Sequence, residues 1–314
     1  MVCPASIAPD PSGRGRPIVP LGPRIPLPSK RQASRLAGTG RPCSPSFSER
    51  PMAMSSEPLP TTSLSAAPSN DPATPAALAL AGYDEGWDSK WTDMRRYGPT
   101  GRHLRRIITR LIAALPISTV LDVGCGEGSL IQMLRPAKPA HYAGADFSES
   151  ALRIARQRTP DAEFFRLDLT EGALERRFDL VLCTDVVEHI KDDVTAIANL
   201  ARMTGKYLLV ATMQGRMRPY ETSVGHVRNY RHGELQAKIE ATGLTIERVV
   251  EWGFPFYSPL YRDLLTLTGA RGTEGRYGMV RRLITTALYG LFLANRWTRG
   301  DYIFVLARRP DPQP

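Results

Sequence analysis

Cysteine is scarce in this sequence, with four in 314 residues. Cys3, Cys43, Cys125 and Cys183 form no C-x-x-C pair. That spacing argues against a disulfide framework and against paired-cysteine zinc sites, so no structural metal is expected and a reducing, cytoplasmic setting fits. Long apolar runs are lacking too. Nothing reaches the ~18 residues of a membrane span. The longest candidate, Leu283 to Ala294, is interrupted by Thr285, Thr286 and Gly290. A soluble chain is expected, peripheral to a membrane at most.

The first quarter lacks any apolar period. Pro17, Pro20, Pro23, Pro26 and Pro28 crowd a stretch otherwise rich in Ser, Ala, Gly and Arg. Such a segment buries too little apolar surface to offset the entropy of ordering, so residues 1–80 read as a disordered tail and 81–314 as the folded domain. No apolar h-region follows the early charges, which argues against a secretory signal. Met52 and Met54 leave open a second reading, in which residues 1–51 lie upstream of the natural start.

Positive charge is not spread evenly. The chain holds 41 Lys+Arg against 31 Asp+Glu. Residues 1–80 carry eight basic and four acidic side chains, and residues 253–314 carry nine arginines against four acids. The middle is close to neutral. Basic ends suit nucleic acid, anionic lipid or an acidic substrate, and charge alone does not choose among them.

What is present is alternation. A helix is predicted over about 100–115, with Leu104, Ile107, Ile108, Leu111 and Ile112 on one face and Arg102, Arg105, Arg106 and Arg110 on the other. Strands follow at 119–123, 141–146, 164–167, 178–183, 206–212, 245–250 and 301–307. Helices are expected at 129–134, 149–157, 193–203 and 234–241. Regular alternation of this kind predicts an α/β fold with a seven-stranded, mostly parallel sheet and helices on both faces.

The chemistry concentrates in Val120-Leu121-Asp122-Val123-Gly124-Cys125-Gly126-Glu127-Gly128. A strand runs straight into three glycines and then into a helix. Glycine lets backbone turn sharply and approach a ligand with no Cβ in the way, and a helix start offers N–H donors. As a dinucleotide fingerprint the run is imperfect, because Ser129 stands where a third glycine belongs.

The run resembles the first motif of class I S-adenosylmethionine-dependent methyltransferases: an acid, one apolar residue, then G-x-G-x-G. The resemblance spans roughly residues 100–252, and it implies a Rossmann-like fold with S-adenosyl-L-methionine as cofactor. It places Asp122, Gly124, Cys125, Gly126 and Gly128 around the cofactor. Asp146, ending the second strand, would grip the ribose hydroxyls, and Phe147 would pack on the adenine. Asp168 and Leu169 would meet the adenine edge. Cys183 and Thr184 would line the methionine end.

Thr184-Asp185-Val186-Val187-Glu188-His189 carries a D-x-x-E-H spacing. It is similar to the E-x-x-E-H of quinone-precursor O-methyltransferases and of a small-RNA methyltransferase family, which hold a divalent metal there. Asp185 replaces the first Glu and shortens the reach, so no metal is assigned. Gly225-His226-Val227-Arg228-Asn229-Tyr230 resembles an H-x-R-x-Y run of small-molecule members. It implies that His226, Arg228 and Tyr230 lie over the strand ends. His226, or His189 as second choice, is the candidate base; the bland reading of His226 is a loop-ordering hydrogen bond.

Residues 253–300 depart from the minimal fold and read as a helical insertion or lid before the last strand. Met279, Val280, Leu283, Ile284, Ala287, Leu288, Leu291 and Phe292 form one apolar stripe, expected to pack on the domain or, less often, to make weak peripheral membrane contact through 279–297. Trp252-Gly253-Phe254-Pro255-Phe256-Tyr257 is a candidate roof over an acceptor, and Trp87, Trp91 and Tyr97 are candidate lid residues.

The function these features imply is methyl transfer to a small-molecule acceptor, most readily at oxygen. An RNA or other nucleic-acid methyltransferase is the alternative. Against it, Thr184-Asp185-Val186-Val187 replaces the Asn/Asp-Pro-Pro-aromatic run of base-amino enzymes, and Cys183 lacks a Pro-Cys context. A non-catalytic nucleotide-binding protein on the same fold is the second alternative.

Overall fold

The computed structural model describes residues 92–268 and 275–311. The tail assigned to 1–80, with Trp87 and Trp91, lies outside them.

Two helices open the described chain, α1 (Thr92–Tyr97) and α2 (Pro99–Ile112). Pro99 sits in the first turn of α2, where its missing N–H costs nothing. The helix buries His103, Ile107, Ile108, Leu111 and Ile112, with Leu104, Arg102, Arg105 and Arg106 half-buried and Arg110 exposed.

The sheet is built from β1 (Thr119–Val123), β2 (His141–Asp146), β3 (Glu163–Arg166), β4 (Phe178–Thr184), β5 (Thr204–Met213), β6 (Thr245–Trp252) and β7 (Tyr302–Arg308). Their order is β3-β2-β1-β4-β5-β7-β6. The first five strands pair in parallel, and β7 inserts antiparallel between β5 and β6. The mostly parallel seven-stranded sheet is thus as expected. The predicted edges of five strands move by one or two residues: β3 and β7 shift by one, β4 and β6 end later, and β5 gains residues at both ends.

Side chains alternate across each strand. Val120 faces one layer with Leu180, Leu182 and Leu209, while Leu121 and Val123 face the other with Val181, Cys183 and Val210. The first layer is covered by α2, α3 (Ser129–Leu134) and α4 (Glu149–Arg158). The second is covered by α5 (Asp193–Met203) and α7 (Glu234–Glu240), while α6 (Pro219–Ser223) sits on the excursion after β5.

The insertion is helical, as predicted. A wide turn at Phe256–Tyr261 leads into α8 (Arg262–Thr268), then α9 (Met279–Phe292) packs along α2. The α9 stripe was expected to bury itself, and it does not. Thr285 and Phe292 are buried with Leu288 and Tyr289 partly so, whereas Met279, Val280, Leu283, Ile284, Ala287 and Leu291 face out. The reason is size. Tyr289 and Phe292 find aromatic partners in His103 and Trp252, and a helix cannot turn those rings and the aliphatic stripe inward together.

Candidate functional site

The carboxyl ends of β1, β2 and β4 meet at the turn after β1, the usual ligand position in open α/β sheets. Gly124, Gly126 and Gly128 all take left-handed backbone, with φ of 73°, 53° and 76°. The Gly124 and Cys125 amides donate to the Ala145 carbonyl at 2.7 and 3.1 Å, which staples the loop to β2. Asp146 takes the next amide: its Oδ2 accepts from Gly126 N–H at 2.8 Å, and its Oδ1 accepts from Ser148 N–H at 2.9 Å. These amides point into the protein. The turn therefore offers shape rather than the row of bare donors the sequence suggested. A Cβ on Gly124 would overlap Val186 Cγ2.

Asp146 is buried at the strand tip. Phe147, next in line, is exposed. Asp168 is exposed, and its Oδ1 caps a turn by accepting from Thr170 N–H (2.8 Å) and Thr170 Oγ1 (2.7 Å). That turn is the bland role foreseen for it, and it leaves Oδ2 facing out. Leu169 is buried, and its carbonyl accepts from Asn199 Nδ2 at 2.8 Å. Asp122 is buried in β1, opposite Leu182 of β4.

Cys183 is fully buried at the end of β4. Burial pushes its thiol well up, with Glu188, Asp122 and Asp185 adding negative potential, so it stays a neutral thiol. Thr184 is half-buried beside it. Asp185 follows at φ 54°, a left-handed conformation uncommon for a side chain other than glycine. Its Oδ1 accepts from the buried hydroxyl of Tyr302 on β7.

Glu188 and His189 form a short turn after β4. Glu188 is fully buried, close to Asp185 and Thr212. Burial, then the charge of Asp185, raises its pKa to about 8. His226 arrives from the loop after α6, tied down where Val227 N–H donates to the Glu188 carbonyl at 2.9 Å. Its ring stands edge-on to His189, with centres 4.8 Å apart. Burial, then the neighbouring His189, lowers its pKa to about 4, so the ring is neutral near pH 7.

Glu188, His189 and His226 bring one ligand atom each to within 4.8 Å of one another. The donor set fits a divalent cation: one buried carboxylate oxygen and two neutral imidazoles, a mixture favoured by borderline metals. The sequence had set Asp185 beside Glu188 and His189. Asp185 accepts from Tyr302 and stays close enough to Glu188 to raise its pKa, while His226 brings the third ligand atom. No spacing signalled that meeting.

Two other expectations change. Tyr230 is buried and donates to Asp193 Oδ2 at 2.8 Å, while Arg228 pairs with Asp193 Oδ1 at 2.7 Å. Both brace the loop to α5, leaving His226 alone of the three toward the site. Trp252 and Tyr257 are no roof either; they stack at 5.0 Å inside the core, and the Tyr257 hydroxyl donates to Met213 Sδ. Tyr97 packs against Tyr277 and Arg282.

Fold and turn together define a Rossmann-like methyltransferase. Residues 121–206 match the family model described as "Methyltransferase domain". A ubiquinone biosynthesis O-methyltransferase of Thiobacillus denitrificans is 30% identical over 148 residues, 44% of this chain and 62% of its own. A trans-aconitate 2-methyltransferase of Azoarcus sp. is 32% identical over 116 residues, 36% of this chain and 46% of its own. The chain spans about half the length of the curated relatives it matches. Among solved structures, the N-methyltransferase NodS of Bradyrhizobium japonicum, in complex with S-adenosyl-L-homocysteine, aligns with 74% of this chain and 98% of its own at TM-score 0.49 and 16% identity. Over this matched part the chain is similar to class I S-adenosylmethionine-dependent methyltransferases.

Proposed function

We propose that this chain moves the sulfonium methyl of S-adenosyl-L-methionine to an oxygen of a small-molecule acceptor. The observation that carries the reading is Asp146, a carboxylate at the tip of β2 bonded directly to the glycine turn through Gly126 N–H, where a ribose diol would be gripped. Asp168 Oδ2 suits the adenine amino group, and exposed Phe147 suits the adenine face. Oxygen as the accepting atom is supported by the relatives named ubiquinone biosynthesis O-methyltransferase.

Methyl transfer is an in-line displacement in which the sulfonium loses its charge. The protein's task is to align donor and acceptor and to keep water out. His226, neutral above about pH 4, is placed to take the acceptor's proton, with His189 beside it. Alternatively Glu188, His189 and His226 would hold a divalent cation, which would acidify a bound hydroxyl in place of a His226 base.

Calorimetry with S-adenosyl-L-homocysteine tests the reading. Wild type is expected to bind. Asp146→Ala should weaken binding at least tenfold, about 1.4 kcal/mol. Asp168→Ala, an exposed change, should weaken it with no loss of fold. Absence of binding to the wild-type chain would remove the proposal.

A further inference from the structure

The exposed side of α9 has a composition unlike the rest of the described surface. Met279 is 80% exposed, Val280 71%, Leu283 66% and Ile284 55%, with Leu291 following a turn later. They lie on the outer side of a helix whose inner residues, Thr285 and Phe292, are buried. A contiguous apolar ridge on a soluble surface marks a contact made with something else.

What surrounds the ridge says what that something is. The neighbouring helix α2 contains no acid, and neither does the stretch from Gly275 to Gly300. Six guanidinium groups lie on α2, on α9 or just beyond its end, each within 6 Å of an aromatic ring centre. Arg102 lies over Tyr289 at 3.8 Å, Arg282 over Tyr97 at 4.3 Å and Arg299 over Phe254 at 4.1 Å. Arg296 shares the Phe254 ring, and Arg106 and Arg110 flank Trp297 at 5.7 and 5.3 Å. Among the described residues none of these six arginines is in an ion pair. Ring stacking steadies the charge without neutralising it, so the positive field stays at the surface.

We propose that α9 lies flat on an anionic lipid surface. Its aliphatic residues would enter the acyl boundary, and the ring-mounted arginines would meet phosphate headgroups. Arginine with Trp and Tyr around an aliphatic helix face is the composition of an interfacial helix. The helix does not span, because no helix among the described residues is long and apolar enough to cross a membrane. A second copy of the chain is the poorer occupant. A two-fold contact sets a patch against itself, and here it would oppose two arginine-rich borders.

The test is co-sedimentation of the full chain with vesicles of equal parts phosphatidylglycerol and phosphatidylcholine, beside vesicles of phosphatidylcholine alone. Wild type should pellet with the anionic vesicles, stay in solution with the neutral ones, and lose most binding in high salt. The double variant Leu283→Glu/Ile284→Glu changes only exposed positions, so it should keep its melting temperature and its S-adenosyl-L-homocysteine affinity while vesicle affinity drops at least tenfold. Arg282→Gln/Arg296→Gln/Arg299→Gln should flatten the salt dependence. Three results overturn the proposal: wild type that ignores anionic vesicles, a Glu pair that pellets like wild type, or a Glu pair whose only effect is to split a dimer in sedimentation velocity. A wild type that binds vesicles but not S-adenosyl-L-homocysteine would leave this inference standing and remove the methyl-transfer reading.

Discussion

His226 and His189 stand edge to face, ring centres 4.8 Å apart, with the buried Glu188 carboxylate beside both. A buried carboxylate beside one exposed and one half-buried imidazole is a good arrangement for a cation reached from solvent. Titration of the metal-free chain with Mn2+ or Zn2+ should show uptake of one ion, with proton release as Glu188 ionises. Glu188→Gln and His226→Gln should each weaken uptake at least tenfold. Wild type that takes up no ion would leave His226 as a base alone.

The glycine turn is a packing device, and Gly124 is its tightest point. An alanine there would need φ of 73° and a Cβ overlapping Val186 Cγ2. The backbone part costs about 1 kcal/mol and the overlap adds about 1–3 kcal/mol. Gly124→Ala is expected to lower the urea midpoint accordingly and to abolish S-adenosyl-L-homocysteine binding. Gly124→Ala/Val186→Ala, which removes the overlapped methyl, should recover stability except for the backbone part.

His103 supplies a pH dependence remote from the site. It is fully buried and stacked on Trp252 at 5.0 Å; Nε2 is 2.9 Å from the Tyr289 carbonyl and Nδ1 is 3.3 Å from Arg106 Nη1. An Nε2–H tautomer satisfies both contacts with a neutral ring. Burial is the main cause lowering its pKa to about 4. Below pH 6.5 the unfolded chain takes up a proton that the folded chain refuses until about pH 4. Stability is therefore full above 6.5 and falls as pH drops through that window, by about 3 kcal/mol at most. Calorimetric melting at pH 7 and pH 4.5 should show the drop, and His103→Gln should reduce it. An unchanged drop would assign the effect to other groups.

Local signals were legible in the sequence and long-range meetings were not. Thr119–Val123 and Ser129–Leu134 follow from a short buried run ending in glycines, and the structure places both at the predicted residues. Asp146 at the β2 tip was readable for the same reason. His226 beside Glu188 was not, because a loop after α6 brings them together and no period records loop closure. The α9 stripe misled in another way. Apolar spacing gives a face but not its direction, and the direction was decided by Tyr289 and Phe292 meeting partners from distant strands and helices.

Arg262 ties the insertion to the site. It is buried in α8, where Nε donates to Glu221 Oε1 at 2.8 Å, Nη1 pairs with Asp301 and Nη2 donates to the Arg216 carbonyl at 3.2 Å. Glu221 Oε2 accepts from Asn229 Nδ2 at 2.8 Å, and Asn229 Oδ1 lies 3.4 Å from His226 Nδ1. The chain of contacts thus ends at the candidate base. Removing a buried partner strands the opposite charge, so Arg262→Met should cost about 3–5 kcal/mol in urea unfolding. Asp301 keeps Arg218 at 3.3 Å, so the stranded charge is that of Glu221. Glu221→Gln added to Arg262→Met should therefore recover much of the loss, a coupling that a double-mutant cycle measures directly. In the single variant the His226 loop loses its anchor while Asp146 and the glycine turn are untouched. Methyl transfer should consequently fall more than S-adenosyl-L-homocysteine affinity does; equal losses would show that the network serves the fold alone.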